Sequence, residues 1–265
     1  TFTSLDGLAN NLITQGADIT LNTNIDLLDD VTISTGAGGG NIFFGGPIEG
    51  AQNLVVDAGT GQIQANFNFG ENTPLHSLAL TAGSLNLLNV NTVGNQTFTG
   101  AATLNGNFNS SGGGDIIFND TATLANNITI DTNENLGGDI IFNDAINGAF
   151  DLTLNAGTGN LNFGAASNAA SGAIERLGTV TLASAGDVDL SNGIILTDFI
   201  SNNITGAVSL GSGVGLSALS DINISRPSGL TGRLEGRDVT LESSGQINVD
   251  VVADTLAIGG NSSII

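Results

Sequence analysis

Carboxylates are the only abundant reactive side chains in this chain, which carries 25 Asp and Glu, one His, four cationic residues and no Cys. Two carboxyl groups at a fixed separation are what glycosidic hydrolysis requires, one as acid and the other as base or nucleophile. Candidate pairs are Asp29 with Asp30, Asp115 with Asp120, Asp139 with Asp144, and Asp187 with Asp189. They recur at equivalent places in repeated sequence, as turn caps and solvated strand faces do, so no catalytic residue is assigned.

The remaining chemistry is thinner. His76 lies in Pro74-Leu75-His76-Ser77, but side chains at i and i+1 of a strand point to opposite faces, so His76 and Ser77 do not begin a nucleophilic triad. His76 reads as a residue of a solvated turn. Gly112-Gly113-Gly114-Asp115 and Gly137-Gly138-Asp139 only superficially resemble the calcium-binding nonapeptide, and no tandem copy exists, so no metal ligand is assigned. The glycine-rich stretches 36–40 and 112–114 are not followed by Lys-Ser/Thr or by a helix, which removes a phosphate loop and leaves turns. Arg226, Arg233 and Arg237 alternate with Glu235, Asp238 and Glu242, a pattern of surface ion pairs. Sequons at Asn95, Asn109, Asn119, Asn127, Asn203, Asn223 and Asn261 arise readily in an Asn- and Thr-rich chain, and glycosylation is not predicted from them. No cofactor is expected.

Charge narrows the partners. With Arg176 as the fourth cation and no Lys, the formal charge is −21, so nucleic acid, whose binding needs a basic surface, is excluded as a partner. Lyase chemistry, which needs a basic residue and a means of neutralising a uronate, is disfavoured for the same reason. Absence of Cys removes a disulfide framework and thiolate metal sites. No apolar run reaches the ~20 residues of a spanning helix, and no signal-peptide pattern opens the chain, so it is not expected to be membrane-embedded. A hydrophobic fraction of 40% argues for a folded chain rather than a disordered acidic one. Beginning at Thr1 without Met and ending on Ile264 and Ile265, the chain reads as a piece of a longer polypeptide.

What must position these residues is a repeat. The heptapeptide GDIIFND occupies 114–120 and 138–144, 24 residues apart, with a looser copy, GNIFFGG, at 40–46. A longer echo matches 39–63 to 137–161 at a displacement of 98 residues, with Gly39, Phe44, Ile48, Gly50, Ala51, Leu54, Ala58, Gly59, Thr60 and Gly61 each identical to its partner. Because 98 is about four times 24, four coils per larger repeat is the simplest account. Alternating segments such as Asp18-Ile19-Thr20-Leu21, Asp151-Leu152-Thr153-Leu154, Asp187-Val188-Asp189-Leu190 and Asp221-Ile222-Asn223-Ile224 read as strands with one apolar face. Gly, Asn, Asp and Ser punctuate them as turns. No helix of three turns is expected, and 165–178 reads as a loop or a single helical turn.

A sandwich does not need one heptapeptide every 24 residues; a solenoid does, because stacked coils turn equivalent positions into ladders. The expectation is therefore an all-β, right-handed parallel β-helix running through residues 1–265 as one continuous segment, with about 11–13 coils of ~20–24 residues. Phe44, Phe118, Phe142 and Phe163 are expected to stack in its core. Asn is expected at turns with positive φ, its amide stacking on an Asn one coil above.

The segments DLTLNAGTGNL at 151–161, NQTFTG at 95–100 and the GDIIFND units resemble the repeat region of filamentous-haemagglutinin-like adhesins, the exported partners of two-partner secretion systems. The resemblance covers nearly the whole chain. It implies a right-handed parallel β-helix, an extracellular or cell-surface location on a Gram-negative bacterium, and a non-catalytic role as a filament or shaft in attachment, cell–cell contact or matrix assembly. Self-association end to end or laterally, and contact with a host-cell, neighbouring-cell or matrix surface, would follow. The family's N-terminal secretion domain carries Asn-Pro motifs, and no Asn-Pro dipeptide occurs here, which marks an interior segment. The competing class is a carbohydrate-binding or carbohydrate-processing β-helix.

Overall fold

The computed structural model describes residues 7–133, 135–164, 176–211, 215–225, 227–260 and 263–264. Among these residues there is no helix; the described chain is all-β, and its strands stack in parallel as a β-solenoid of about 11 turns. At the inter-strand spacing of ~4.8 Å this is a rod of roughly 50 Å.

Each turn visits three ladders in a fixed order, called here faces A, B and C. Face A runs through Leu12–Ile13, Val31–Ser34, Asn53–Asp57, Ile116–Phe118, Ile140–Phe142 and Leu161–Phe163. Face B holds Ile19–Leu21, Ile42–Phe44, Gln62–Ala65, Ala122–Leu124 and Ile146–Asn147. Face C holds Ile25–Asp26, Ile48–Glu49, Val90–Thr92, Phe108–Ser110, Ile128–Asp131 and Leu152–Asn155. Four long strands, Ser77–Leu87, Gln96–Leu104, Gly229–Glu235 and Gln246–Val252, cross from A to B without a break. Gly100 makes the second crossing possible: its φ is +123° and a Cβ there would lie 2.0 Å from the Ala82 carbonyl oxygen, a place only Gly can take.

Strands this short form because alternate residues are apolar and point inward. Ile-Ile-Phe at 116–118 and at 140–142 buries its first and third side chains and leaves the middle one half-exposed. Phe98, Phe118, Phe142 and Phe163 form one aromatic column on face A, with successive ring centroids 4.9, 5.2 and 5.3 Å apart. Phe108 on face C meets the Phe98 and Phe118 rings edge-on. The expected inward stacking of Phe118, Phe142 and Phe163 is observed. Phe44 is buried but stands outside that column, on face B, edge-on to Phe69 at 5.4 Å.

That displacement corrects the expected coil count of the larger repeat. The 24-residue spacing is one turn, since Ile116, Ile117 and Phe118 pair with Ile140, Ile141 and Phe142. The 98-residue spacing is not four turns. From Ile42 the face-B ladder passes Ile63, Leu85 and Ala102 and reaches Ala122 after four turns. The chain then crosses face C before arriving at Ile140 on face A. The echo is thus displaced by four turns and two further faces. Its local geometry travels with its sequence: Gly50 and Gly148 have φ of +120° and +110° and sit against the carbonyls of Leu27 and Leu124. Buried Thr35 and Thr132 donate to the Gly40 and Gly138 carbonyls at 2.8 and 2.7 Å. Turn length also varies more than 20–24, the offset being 24 residues for Ile116 to Ile140 but 17 for Ile247 to Ile264.

Two further expectations need adjusting. Among the described residues Asn133 is the only non-Gly residue with positive φ, at 76°, so Asn is abundant for another reason, given below. The segment expected as a loop or helical turn lies outside the described residues over 165–175, and its end, Leu177, already belongs to a strand.

Candidate functional site

The carboxylates are committed to holding one coil on the next. At the start of face A, the Asp115 carbonyl accepts the Gln96 N–H of the coil before it. Its Oδ1 accepts the Asp139 N–H of the coil after it at 2.9 Å. The same step is made by Asn95 to Asp115, Asp139 to Asn160, Asn160 to Asp187 and Asp187 to Ala207, at 2.7 to 3.0 Å. A strand's first N–H has no main-chain acceptor in this register, and a short side chain with an oxygen one bond beyond Cγ reaches it. Asp and Asn serve equally because only the oxygen is used. Side-chain amides also bridge coils directly, as Asn143 to Asn119 at 2.9 Å and Asn89 to Asn68 at 3.1 Å. The expected contact between Asn side chains of adjacent coils is therefore present, as hydrogen bonds between their amides.

The other members of the candidate pairs cap backbone too. Asp29 accepts the Asp30 N–H, Asp120 the Gly100 N–H, Asp189 the Ser191 N–H, and Asp144 both the Ala145 N–H and the Thr121 hydroxyl. Around the two Gly-Gly-Asp turns and everywhere else among the described residues, no group of three or more acidic or His side chains converges as a metal ion would need.

His76 is exposed, and its main chain is tied to neighbouring coils through Gln52 and Gly94. Ser77 Oγ donates to Asn53 Oδ1 at 2.6 Å, and the Asn53 amide and backbone N–H donate to Asp30 at 2.8 Å each. The Asn53 N–H groups, with a smaller contribution from nearby His76, hold the Asp30 carboxyl below its ordinary range. Serine, histidine and aspartate thus approach one corner, but an amide occupies the place a general base would take against the hydroxyl.

Near the C-terminal end Arg233 pairs with Asp250 at 2.9 Å and Glu235 at 3.5 Å, and Arg237 with Asp221 at 2.8 Å and Asp238 at 3.0 Å. All are exposed surface pairs of small energetic weight. Arg226 lies outside the described residues, and Glu242 joins none of these pairs.

Two polar side chains escape a reading based on chemistry. Glu49 is buried on face C and accepts the N–H groups of Asn72 and Thr73 at 3.0 and 2.7 Å, clamping the 70–76 loop. Gln96 is fully buried within an aliphatic ladder, between Leu78 and Ile116. Its Nε2 donates to Thr92 Oγ1 at 3.1 Å and to the Asn109 carbonyl at 2.8 Å, while Oε1 has no partner.

One surface feature has a composition unlike the rest. At the corner between faces B and C, Asn89, Asn105, Asn107, Asn126 and Asn127 from three successive coils line a shallow groove of about 490 Å³, with Phe150 of the fourth coil at its end. Comparison with protein-family models, with curated proteins and with solved structures finds no match for this chain.

Proposed function

We propose that this chain is a stretch of the shaft of an extracellular filament or adhesin, acting in surface attachment, cell–cell contact or matrix assembly without catalysis. The observation that carries the reading is the use to which the acidic side chains are put. The four candidate pairs are engaged as backbone caps, and most of these caps join one coil to the next. Such a ladder stiffens a rod. The high negative charge keeps repetitive sheet faces from associating indiscriminately. The resemblance of 95–100 and 151–161 to filamentous-haemagglutinin-like repeats supports the location outside a Gram-negative cell.

Self-association is part of this proposal. In a parallel β-solenoid a strand edge without a partner takes a further strand, which is the physical route to end-to-end or lateral association. Electron microscopy of the native material, labelled with an antibody to this chain, tests the reading. Labelled fibres or rods at the cell surface are expected. A compact labelled particle confined to the cytoplasm would sink it.

A further inference from the structure

We infer that the asparagine groove closed by Phe150 is a binding site for a neutral oligosaccharide. The amides there are held in place and half spent. Asn107 Oδ1 and Asn127 Oδ1 accept the backbone N–H groups of Thr129 and Asp151 at 2.8 and 3.1 Å, which leaves each Nδ2 as a donor. Asn126 Nδ2 donates to the Asn105 carbonyl at 3.1 Å, and Asn105 Nδ2 to Asn86 Oδ1 at 2.6 Å, which leaves each Oδ1 as an acceptor. Two donors and two acceptors are therefore presented along one groove without the entropy of fixing them on binding.

Sugar hydroxyls both donate and accept, and the C–H face of a pyranose packs on an aromatic ring. Phe150 supplies that ring. It is 37% exposed and is not part of the core. Its counterpart in the 98-residue echo is Gln52, at the corner between faces C and A, so the repeated sequence does not itself call for an aromatic side chain at that position. The groove lining contains no ionised group, and the chain as a whole is strongly negative, so a uronate or sulfated glycan is repelled and an uncharged one is not. The inference stands apart from the filament proposal, because a monomeric rod can bind sugar and a filament can lack a sugar site.

The test is titration of the full 265-residue chain with short neutral cello-, malto- and manno-oligosaccharides, and with oligogalacturonate as the anionic counterpart, read by the side-chain amide resonances of Asn105, Asn107, Asn126 and Asn127. One neutral series is expected to shift these resonances, while oligogalacturonate leaves them in place. Phe150→Gln, which installs the residue of the echo, should weaken binding about tenfold and Phe150→Trp should restore it, since stacking on an aromatic face carries about that much. Phe67→Ala, which removes an exposed ring elsewhere, should leave affinity and the thermal melt unchanged. The inference is overturned if no neutral oligosaccharide shifts the four amides at ~20 mM, a concentration that detects even millimolar affinity. It is equally overturned if Phe150→Gln binds like the wild type, or if oligogalacturonate binds as well as the neutral series.

Discussion

Gln96 is the residue at which local chemistry and the fold most plainly conflict. A buried acceptor without a partner costs about 1–3 kcal/mol, against about 1 kcal/mol for each hydrogen bond its amide nitrogen makes. Gln96→Leu, which continues the ladder of Leu78 and Ile116, is therefore expected to match or exceed the wild type in urea unfolding. Gln96→Glu keeps the size, loses both donated bonds and buries a charge, and should cost more than about 3 kcal/mol. Strand alternation makes the inward orientation of Gln96 legible, because it shares a face with Phe98; what it cannot give is which carbonyls of other coils come within reach. Asp238 supplies the pH-dependent case. The Thr255 hydroxyl first, and then Arg237, hold its carboxyl below the ordinary value. A depressed carboxyl stabilises the fold fully above its unfolded pKa and loses that contribution as pH falls through the folded one. Asp238→Asn should accordingly lose less stability than the wild type between pH 5 and the acid limit, tracked by the urea midpoint at low salt, and the difference should shrink as salt screens this exposed group.

At the scale of the strand and its corner, the decisive devices are the capping Asx and the crossing glycine. Asp139→Ala removes the acceptor of the Asn160 N–H and should cost about 1 kcal/mol, as loss of a comparable helix cap does. Asp139→Asn keeps the oxygen, removes the like charge facing Asp115 in the adjacent coil, and should be no less stable than the wild type by thermal melting. Gly100→Ala meets both a left-handed φ and the Ala82 carbonyl, and is expected to cost at least ~1–3 kcal/mol. Gly229→Ala is the control: its φ is not in the left-handed region, and its nearest neighbour, the Gln246 carbonyl oxygen, would lie 3.9 Å from the new Cβ. A stabilised Gly100→Ala would remove the account given of the bend. Strands and turns were readable because period-2 alternation and Gly-rich corners are local signals. The φ of an Asn at a corner is not legible in the sequence, because it is set by how each coil meets the one below, and among the described residues Gly takes all but one of the left-handed positions. Phe150 and its groove were not legible at all, since Asn89, Asn107 and Asn127 are brought to one corner only by stacking.

For the molecule as a whole, a solenoid whose coils touch only their neighbours should tolerate the removal of one entire coil, provided every ladder closes again. Deleting residues 115–138 joins Gly114 to Asp139 and regenerates GDIIFND at the junction. Ile140 then takes the place of Ile116 over Gln96, and Phe142 that of Phe118 over Phe98. Such a chain should keep its β circular dichroism and a cooperative melt, shortened by one rise of ~4.8 Å in small-angle scattering. The 98-residue echo offers a deletion that looks just as innocent in sequence, joining Gly40 to Asp139 so that DIIFND replaces NIFFGG. Its outcome should be the opposite. Ile140, a face-A residue, would follow Ser34 and the corner after it into face B, and each later strand would arrive one face out of step with its own inward pattern. Gly148 would stand where Gly50 now bends the chain between C and A and could make the same turn, but past residue 161, where the echo ends, strands and corner lengths built for one face would be carried to another and would no longer match the ladders they serve. Loss of the cooperative melt in the 98-residue deletion, beside its survival in the 24-residue one, is the result expected from counting turns by ladder partners. Equal folding of the two would mean that the three faces are interchangeable and that the echo, not the ladder, sets the architecture.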